Sequence, residues 1–412
     1  MKYQLLLLGI FAGITLNAYP INGYKYSGIS RLLYEYKMMK DSSKESKLKK
    51  GALLELSDIK LNLANKNFTW PQEDKGLESK LNNIFRNLEP EYSISVMDIT
   101  DPNKLRYAGI KQNVGYQPGS VAKIIAAMGL FDALHKVYGD NWEDIRAVLY
   151  NRKVRGNEFV VYDHHTIPIY DIKENKYYKR KAEESDVFTL YEWLDHMFSK
   201  SNNGAASVVM REMLLVHIMD DYYECATQEE MDKVIENSSR AVLSNLTEDL
   251  TNCVLDDTGI ESDEYRLGGF FTSGAEKYIP RRGGSVGTTK GLMKFMFALE
   301  SGKVINERIS LEIKRLMYLT DRRIRYASSR SLDNDAVYFK SGSLYSFKPE
   351  PGFVRTNYAG NKYNYMNSVA IIEKQDSSNR KYMVALMSNV LRKNSVKEHY
   401  ALAKKIDDIL AE

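Results

Sequence analysis

Three short stretches, far apart in the chain, carry residue types able to open an amide or an ester. They are Ser120-Val121-Ala122-Lys123, Ser201-Asn202-Asn203 and Lys340-Ser341-Gly342. A serine hydroxyl holds its proton too tightly to attack a carbonyl at neutral pH, so it needs a base within hydrogen-bond reach. If Ser120 opens a helix, Lys123 lies one turn on and on the same face, with its amine beside the hydroxyl. Burial and a neighbouring cation would both favour the free amine over the ammonium. A second hydroxyl (Ser201), a side-chain amide (Asn203) and a second cation (Lys340) would complete a proton relay and an anchor for an anionic substrate.

Each stretch alone is commonplace, since Ser and Asn are ordinary loop and cap residues. Order and setting single them out. Tyr116-Gln117-Pro118-Gly119 reads as a loop that delivers Ser120 to the apolar run 124–130, which predicts a helix over 119–138. Ala336-Val337-Tyr338-Phe339 reads as a strand ending at Lys340. Two more strands are expected early, at 92–99 and at 104–110 across the Asp101-Pro102-Asn103 turn, and two late, at 366–374 and 381–389. Between them, about 140–330 reads as largely helical, interrupted by a β-leaning segment, Phe159-Val160-Val161-Tyr162, and by a polar loop near 256–290. A last helix is expected from about 395 to 411. Strands at both ends and helices between imply an α/β (α+β) fold. Its sheet would be assembled from both termini, with a helical subdomain inserted.

Residues 1–18 start with Lys2, run through Leu5-Leu6-Leu7-Leu8-Gly9-Ile10-Phe11-Ala12 and end on Ala18, the pattern of a secretory signal peptide. The expected product is periplasmic or secreted, with no membrane span after signal removal. Residues 19–80 read as a charged helical lead-in, with Ile29, Leu32, Leu33, Tyr36 and Met39 at helical spacing, and 81–412 as the catalytic domain. The net charge of +4 over 412 residues, without a basic patch interleaved with aromatics, argues against nucleic acid as a partner. The tract 40–50 is locally basic and reads as a solvated helix or linker. The two cysteines, Cys225 and Cys253, suit a disulfide in an oxidising compartment, and their number argues against a cysteine metal site. His164-His165 could ligate a metal, but neighbours on a strand point to opposite faces, so a solvated loop pair is the expectation.

The three stretches in this order resemble the S-x-x-K, S-D-N and K-T-G set of class A β-lactamases and penicillin-binding proteins. The resemblance spans about residues 80–412. It implies a five-stranded antiparallel sheet flanked by helices and an exported serine acyl-hydrolase that needs no cofactor or metal. Its substrate would be a β-lactam or a cell-wall peptide ending in acyl-D-Ala-D-Ala. Carried over residue by residue, it makes Ser120 the acylated nucleophile, Lys123 its proton partner and Ser201 the shuttle to the leaving nitrogen. Asn203 would hold Lys123 or a substrate amide, Lys340 and Ser341 the substrate carboxylate, and the amides of Ser120 and Ser343 the oxyanion, with Gly342 between. A class A enzyme also has a glutamate that activates the deacylating water. Counting from Arg266-Leu267 puts Phe271 at that place, leaving Glu276 and, with Asn252, Glu248 as substitutes. Without such a base the resemblance points to a D,D-peptidase or penicillin-binding protein that deacylates slowly, or to a sensor that binds wall fragments without turnover.

Overall fold

The computed structural model describes residues 19–41, 49–64, 68–318 and 323–412. The expected signal peptide and residues 42–48 of the basic tract lie outside the described residues. Five antiparallel strands form the sheet: β1 (Tyr92–Asp98), β2 (Arg106–Ile110), β3 (Ala336–Ser346), β4 (Tyr363–Glu373) and β5 (Lys381–Asn389). Their order is β2-β1-β5-β4-β3, so the two halves of the chain meet where Ile94 of β1 faces Leu386 of β5. The helices that position the site are α1 (Ser30–Lys40), α2 (Lys75–Phe85), α3 (Lys123–Tyr138), α4 (Leu190–Ser199), α5 (Asn203–Met219), α6 (Arg240–Asp256) and α7 (Val396–Ala411).

Side chains alternate across a strand, so a sheet covered on both sides must be apolar on both. On one face Val337, Phe339, Val384 and Leu386 pack with Leu77 and Leu81 of α2 and Leu402 and Ile406 of α7. On the other, Ala336, Tyr338, Met383 and Ala385 join the larger core of the helical region. Lys340 shares the parity of Ala336 and Tyr338 and therefore points toward the helices. Over Ile124–Leu134 helix α3 is buried on every side, with Ile124, Ile125, Met128, Leu130, Phe131 and Leu134 all inaccessible, which is why that run is apolar nearly all round.

The inserted region departs from the expected elements. Phe159-Val160-Val161-Tyr162 is no strand; Asn157–Val160 is a 3-10 turn whose Phe159 and Val160 are buried in the helical core. Short apolar runs do not separate a strand from a buried turn. Three small antiparallel pairs also occur, Lys153–Arg155 with Val187–Thr189, Thr166–Asp171 with Lys176–Lys181, and Tyr265–Arg266 with Val286–Gly287. The strand Lys-Tyr-Tyr-Lys-Arg-Lys is exposed over most of its length and so carries no alternating apolar signal. The lead-in is built into the fold: Tyr19, Ile29, Leu32, Ala52, Ile59 and Leu63 belong to the same core as α3 and α5. Cys225 and Cys253 are free thiols, so the expected disulfide is not formed.

Candidate active site

Ser120 sits in a 3-10 turn, Gly119–Ala122, that runs straight into α3. The turn brings Lys123 round so that its Nζ donates to Ser120 Oγ at 2.9 Å. The same ammonium donates to Ser201 O at 2.7 Å, to Ser201 Oγ at 3.5 Å and to Asn203 Oδ1 at 2.6 Å, and its side chain is wholly buried. Lys340 Nζ donates to the other side of Ser201 Oγ at 2.8 Å. One hydroxyl thus bridges two amines, and the three remote stretches form a single cluster.

Local backbone explains the placement. Ser201 adopts φ 56°, a left-handed conformation that costs a non-glycine residue about 1 kcal/mol. It turns the chain between the end of α4 and the start of α5 so that both its carbonyl and its hydroxyl face Lys123. Asn202 caps α5 by accepting from Ala205 N at 2.6 Å. Two glycines let β3 touch the nucleophile turn: a Cβ on Gly342 would lie 2.0 Å from Pro118 O, and one on Gly119 (φ 55°) 2.9 Å from Ser343 N. The amides of Ser120 and Ser343 therefore lie on adjoining stretches of backbone.

Asp163, which belongs to none of the three motifs, anchors this arrangement. Its Oδ2 accepts from Asn203 N at 2.5 Å and Gly204 N at 3.3 Å, at the N-terminus of α5. Its Oδ1 accepts from Asn203 Nδ2 at 3.3 Å, His165 N at 3.1 Å and His165 Nδ1 at 2.7 Å. Burial pushes this carboxyl up, but the bonds and charge of His165 and the charge of Lys123 outweigh it and hold it well below the usual carboxylate range. Where the related motif reads S-D-N, this chain has Asn202, and a carboxylate from a distant loop approaches the same turn instead. That missing acid was the signal that could have directed attention to Asp163. The histidines are not alike: His164 is exposed, whereas His165 is largely buried on Asp163.

A cleft of about 390 Å³ opens onto Ser120 and Ser201. Ser341, Ser343 and Arg325 also line it, and Arg325 donates to Gly342 O at 2.7 Å beneath β3. Among the described residues no carboxylate lines this cleft. Phe271 does, with its ring centroid 5.0 Å from the Lys123 ammonium. The two substitute glutamates are not brought to Ser120. Glu276 is tied to Arg281 at 2.5 Å, and Glu248 on α6 borders a separate small cavity.

The same architecture recurs in solved structures. A class A beta-lactamase from Bacteroides cellulosilyticus matches with a TM-score of 0.52 at 12% identity, over 82% of this chain and 99% of that one. The TLA-3 extended-spectrum beta-lactamase matches at 0.52 and 12%, over 82% and 98%. A beta-lactamase from Chitinophaga pinensis matches at 0.51 and 13%, over 81% and 97%. At such identities the likeness establishes the β-lactamase and transpeptidase fold. The sequence over residues 75–403 matches the beta-lactamase enzyme family, and the chain belongs to that family. No curated protein matches it.

Proposed function

We propose that this chain is an exported serine acyl-hydrolase whose Ser120 forms an ester with β-lactams or acyl-D-Ala-D-Ala-like amides, and that the ester is hydrolysed slowly. The observation that carries the reading is Lys123 Nζ 2.9 Å from Ser120 Oγ, held there by Ser201 O and Asn203 Oδ1. As free amine, Lys123 takes the Ser120 proton while Oγ attacks the carbonyl carbon. The tetrahedral oxyanion falls to the amides of Ser120 and Ser343, and such fixed donors contribute about 3 kcal/mol each. Ser201, between Lys123 and Lys340, passes a proton to the departing nitrogen. Ser341 and Arg325 line the cleft where a substrate carboxylate would sit, and the buried Lys340 ammonium adds positive charge from behind Ser201 Oγ.

Slow deacylation follows from the cleft wall. A glutamate that activates water would have to stand near Lys123, and a phenyl ring stands there instead. This favours the D,D-peptidase or penicillin-binding reading over fast β-lactam turnover. Incubation with a fluorescent penicillin, followed by mass spectrometry of the Ser120 peptide, is expected to give a stable adduct. Nitrocefin should give a burst of about one equivalent and then slow release. Absence of any adduct with a penicillin or a peptide mimic would overturn the reading, and many rapid turnovers would reassign it to a β-lactamase.

A further inference from the structure

Neighbouring side chains on a strand point apart, which is the expectation for His164 and His165. The chain does otherwise. Both residues precede the small strand Thr166–Asp171, in irregular backbone that turns sharply at Tyr162 (φ 69°). Their rings lie together, 4.1 Å apart between centroids and 32° from parallel. Both line the cleft that opens onto Ser120, the His164 side chain 81% exposed and that of His165 15%.

Asp163 completes a set of three. His165 Nδ1 stands 2.7 Å from Asp163 Oδ1, and His164 Nδ1 stands 3.9 Å from it. One ligating atom from each residue lies within 4.8 Å of the other two, and no other such group forms among the described residues. In a tetrahedral zinc site with bonds of about 2.1 Å, neighbouring ligand atoms stand about 3.4 Å apart. The two measured separations bracket that value. Shifts of about 0.5–0.7 Å would close the difference, and the exposed His164 is free to make them.

A metal site also needs supported ligands and a way in. Asp163 Oδ2 is fixed by Asn203 N and Gly204 N, while Oδ1 faces the His165 ring. Asn202 Nδ2 donates to His165 O at 3.2 Å and holds the loop against the start of α5. The cleft itself is the way in. Two imidazoles and one carboxylate suit zinc, copper or nickel, whereas magnesium and calcium ask for oxygen ligands. We infer that Asp163, His164 and His165 bind a zinc-class divalent cation on the rim of the cleft, with a fourth position open to water or to an anionic group of a ligand. On binding, His165 turns its Nδ1 lone pair to the ion and carries its proton on Nε2. Asn203 links the site inward: its Nδ2 donates to Asp163 Oδ1 and its Oδ1 holds Lys123, so the ion and the nucleophile's amine share one anchor. Nothing in this arrangement depends on acylation of Ser120.

The test titrates the untagged protein with zinc chloride at neutral pH in a calorimeter. One equivalent is expected to bind with a Kd of about 1 μM or tighter, undiminished by excess magnesium. His164→Ala and His165→Ala should each weaken binding by at least about ten-fold, the least that losing even a supporting partner costs a metal site. Because His164 is exposed, its replacement leaves the fold intact and keeps the comparison clean. Cys225→Ser, which removes an exposed thiol elsewhere on the surface, should change nothing. Cobalt(II) bound in place of zinc should show the intense visible bands of a four-coordinate ion in the native protein and lose them in His164→Ala. No zinc uptake by the native protein overturns the site. So does uptake that survives His164→Ala undiminished, or that disappears in Cys225→Ser.

Discussion

Asp163 shows how much of a site can rest on one residue outside its motifs. Five donors converge on its two oxygens, and three of them belong to Asn203 and Gly204 at the start of α5. Asn203 Oδ1 then holds Lys123, so the carboxylate acts on the nucleophile through another side chain. In Asp163→Asn an amide N–H would face donors, and a charge-assisted bond worth about 1.5–3 kcal/mol would be lost. Acylation of Ser120 is expected to slow roughly ten- to a hundred-fold, read by stopped-flow with a fluorescent penicillin, while the concentration for half-saturation changes little. Unaltered acylation would show that Asp163 only caps the helix. Ser120, Lys123, Ser201, Asn203 and Lys340 were legible in the sequence because each sits in a short pattern of fixed spacing. Asp163 was not, because a carboxylate that accepts backbone amides leaves no periodic mark. Counting along the chain to Glu276 and Glu248 failed for the opposite reason: it locates residue types without saying which way a loop carries them.

At the scale of elements, the site depends on how α4 ends and what fixes it. Ser201 follows α4 by two residues, and α4 is pinned by the lead-in helix α1. Arg31 of α1 donates to both oxygens of Asp195, at 2.6 and 2.5 Å, with both side chains essentially inaccessible. Removing one partner of a buried ion pair leaves an uncompensated charge, at a cost of about 3–5 kcal/mol. Arg31→Met is therefore expected to lower the unfolding free energy by about 3 kcal/mol in urea titration, although α1 lies outside residues 75–403 that match the family. A change under 1 kcal/mol would mean that the lead-in merely covers the surface. The five strands and α3 were readable because alternation and an all-apolar run are strong signals. The pair Thr166–Asp171 and Lys176–Lys181 was not, since its second strand has little buried face to betray it.

Across the whole molecule, charged groups buried between layers tie the lead-in, helices and sheet together. Lys314 donates to Glu300 at 2.6 Å and Glu373 of β4 at 2.7 Å, while Asn62 of the lead-in donates to both carboxylates. Strand order alone foretold a sheet shared by both ends of the chain, but no sequence pattern foretold which polar residues the layers would enclose. His399 is another of these. It lies wholly buried on α7 against the outer face of the sheet, with its Nε2 paired to Ser388 Oγ at 2.9 Å. Burial, with the charge of Arg325 behind it, pushes its imidazolium down to about 3. In the unfolded chain the same ring takes its proton near pH 6.5. Between those values the unfolded state binds a proton that the folded state refuses. The contribution is therefore fully present above about pH 6.5 and declines by about 1.4 kcal/mol for each unit of acidification toward pH 3. His399→Gln removes this one linkage and leaves every other titrating group in place. The variant will be less stable at neutral pH, where it loses a fitted ring. Its deficit should shrink by about 2–3 kcal/mol between pH 6.5 and 4.5, measured as unfolding free energies in urea. A deficit that stays constant across that range would mean that His399 is protonated inside the fold, with a carboxylate or solvent reaching it by a route the packing of α7 on the sheet does not provide.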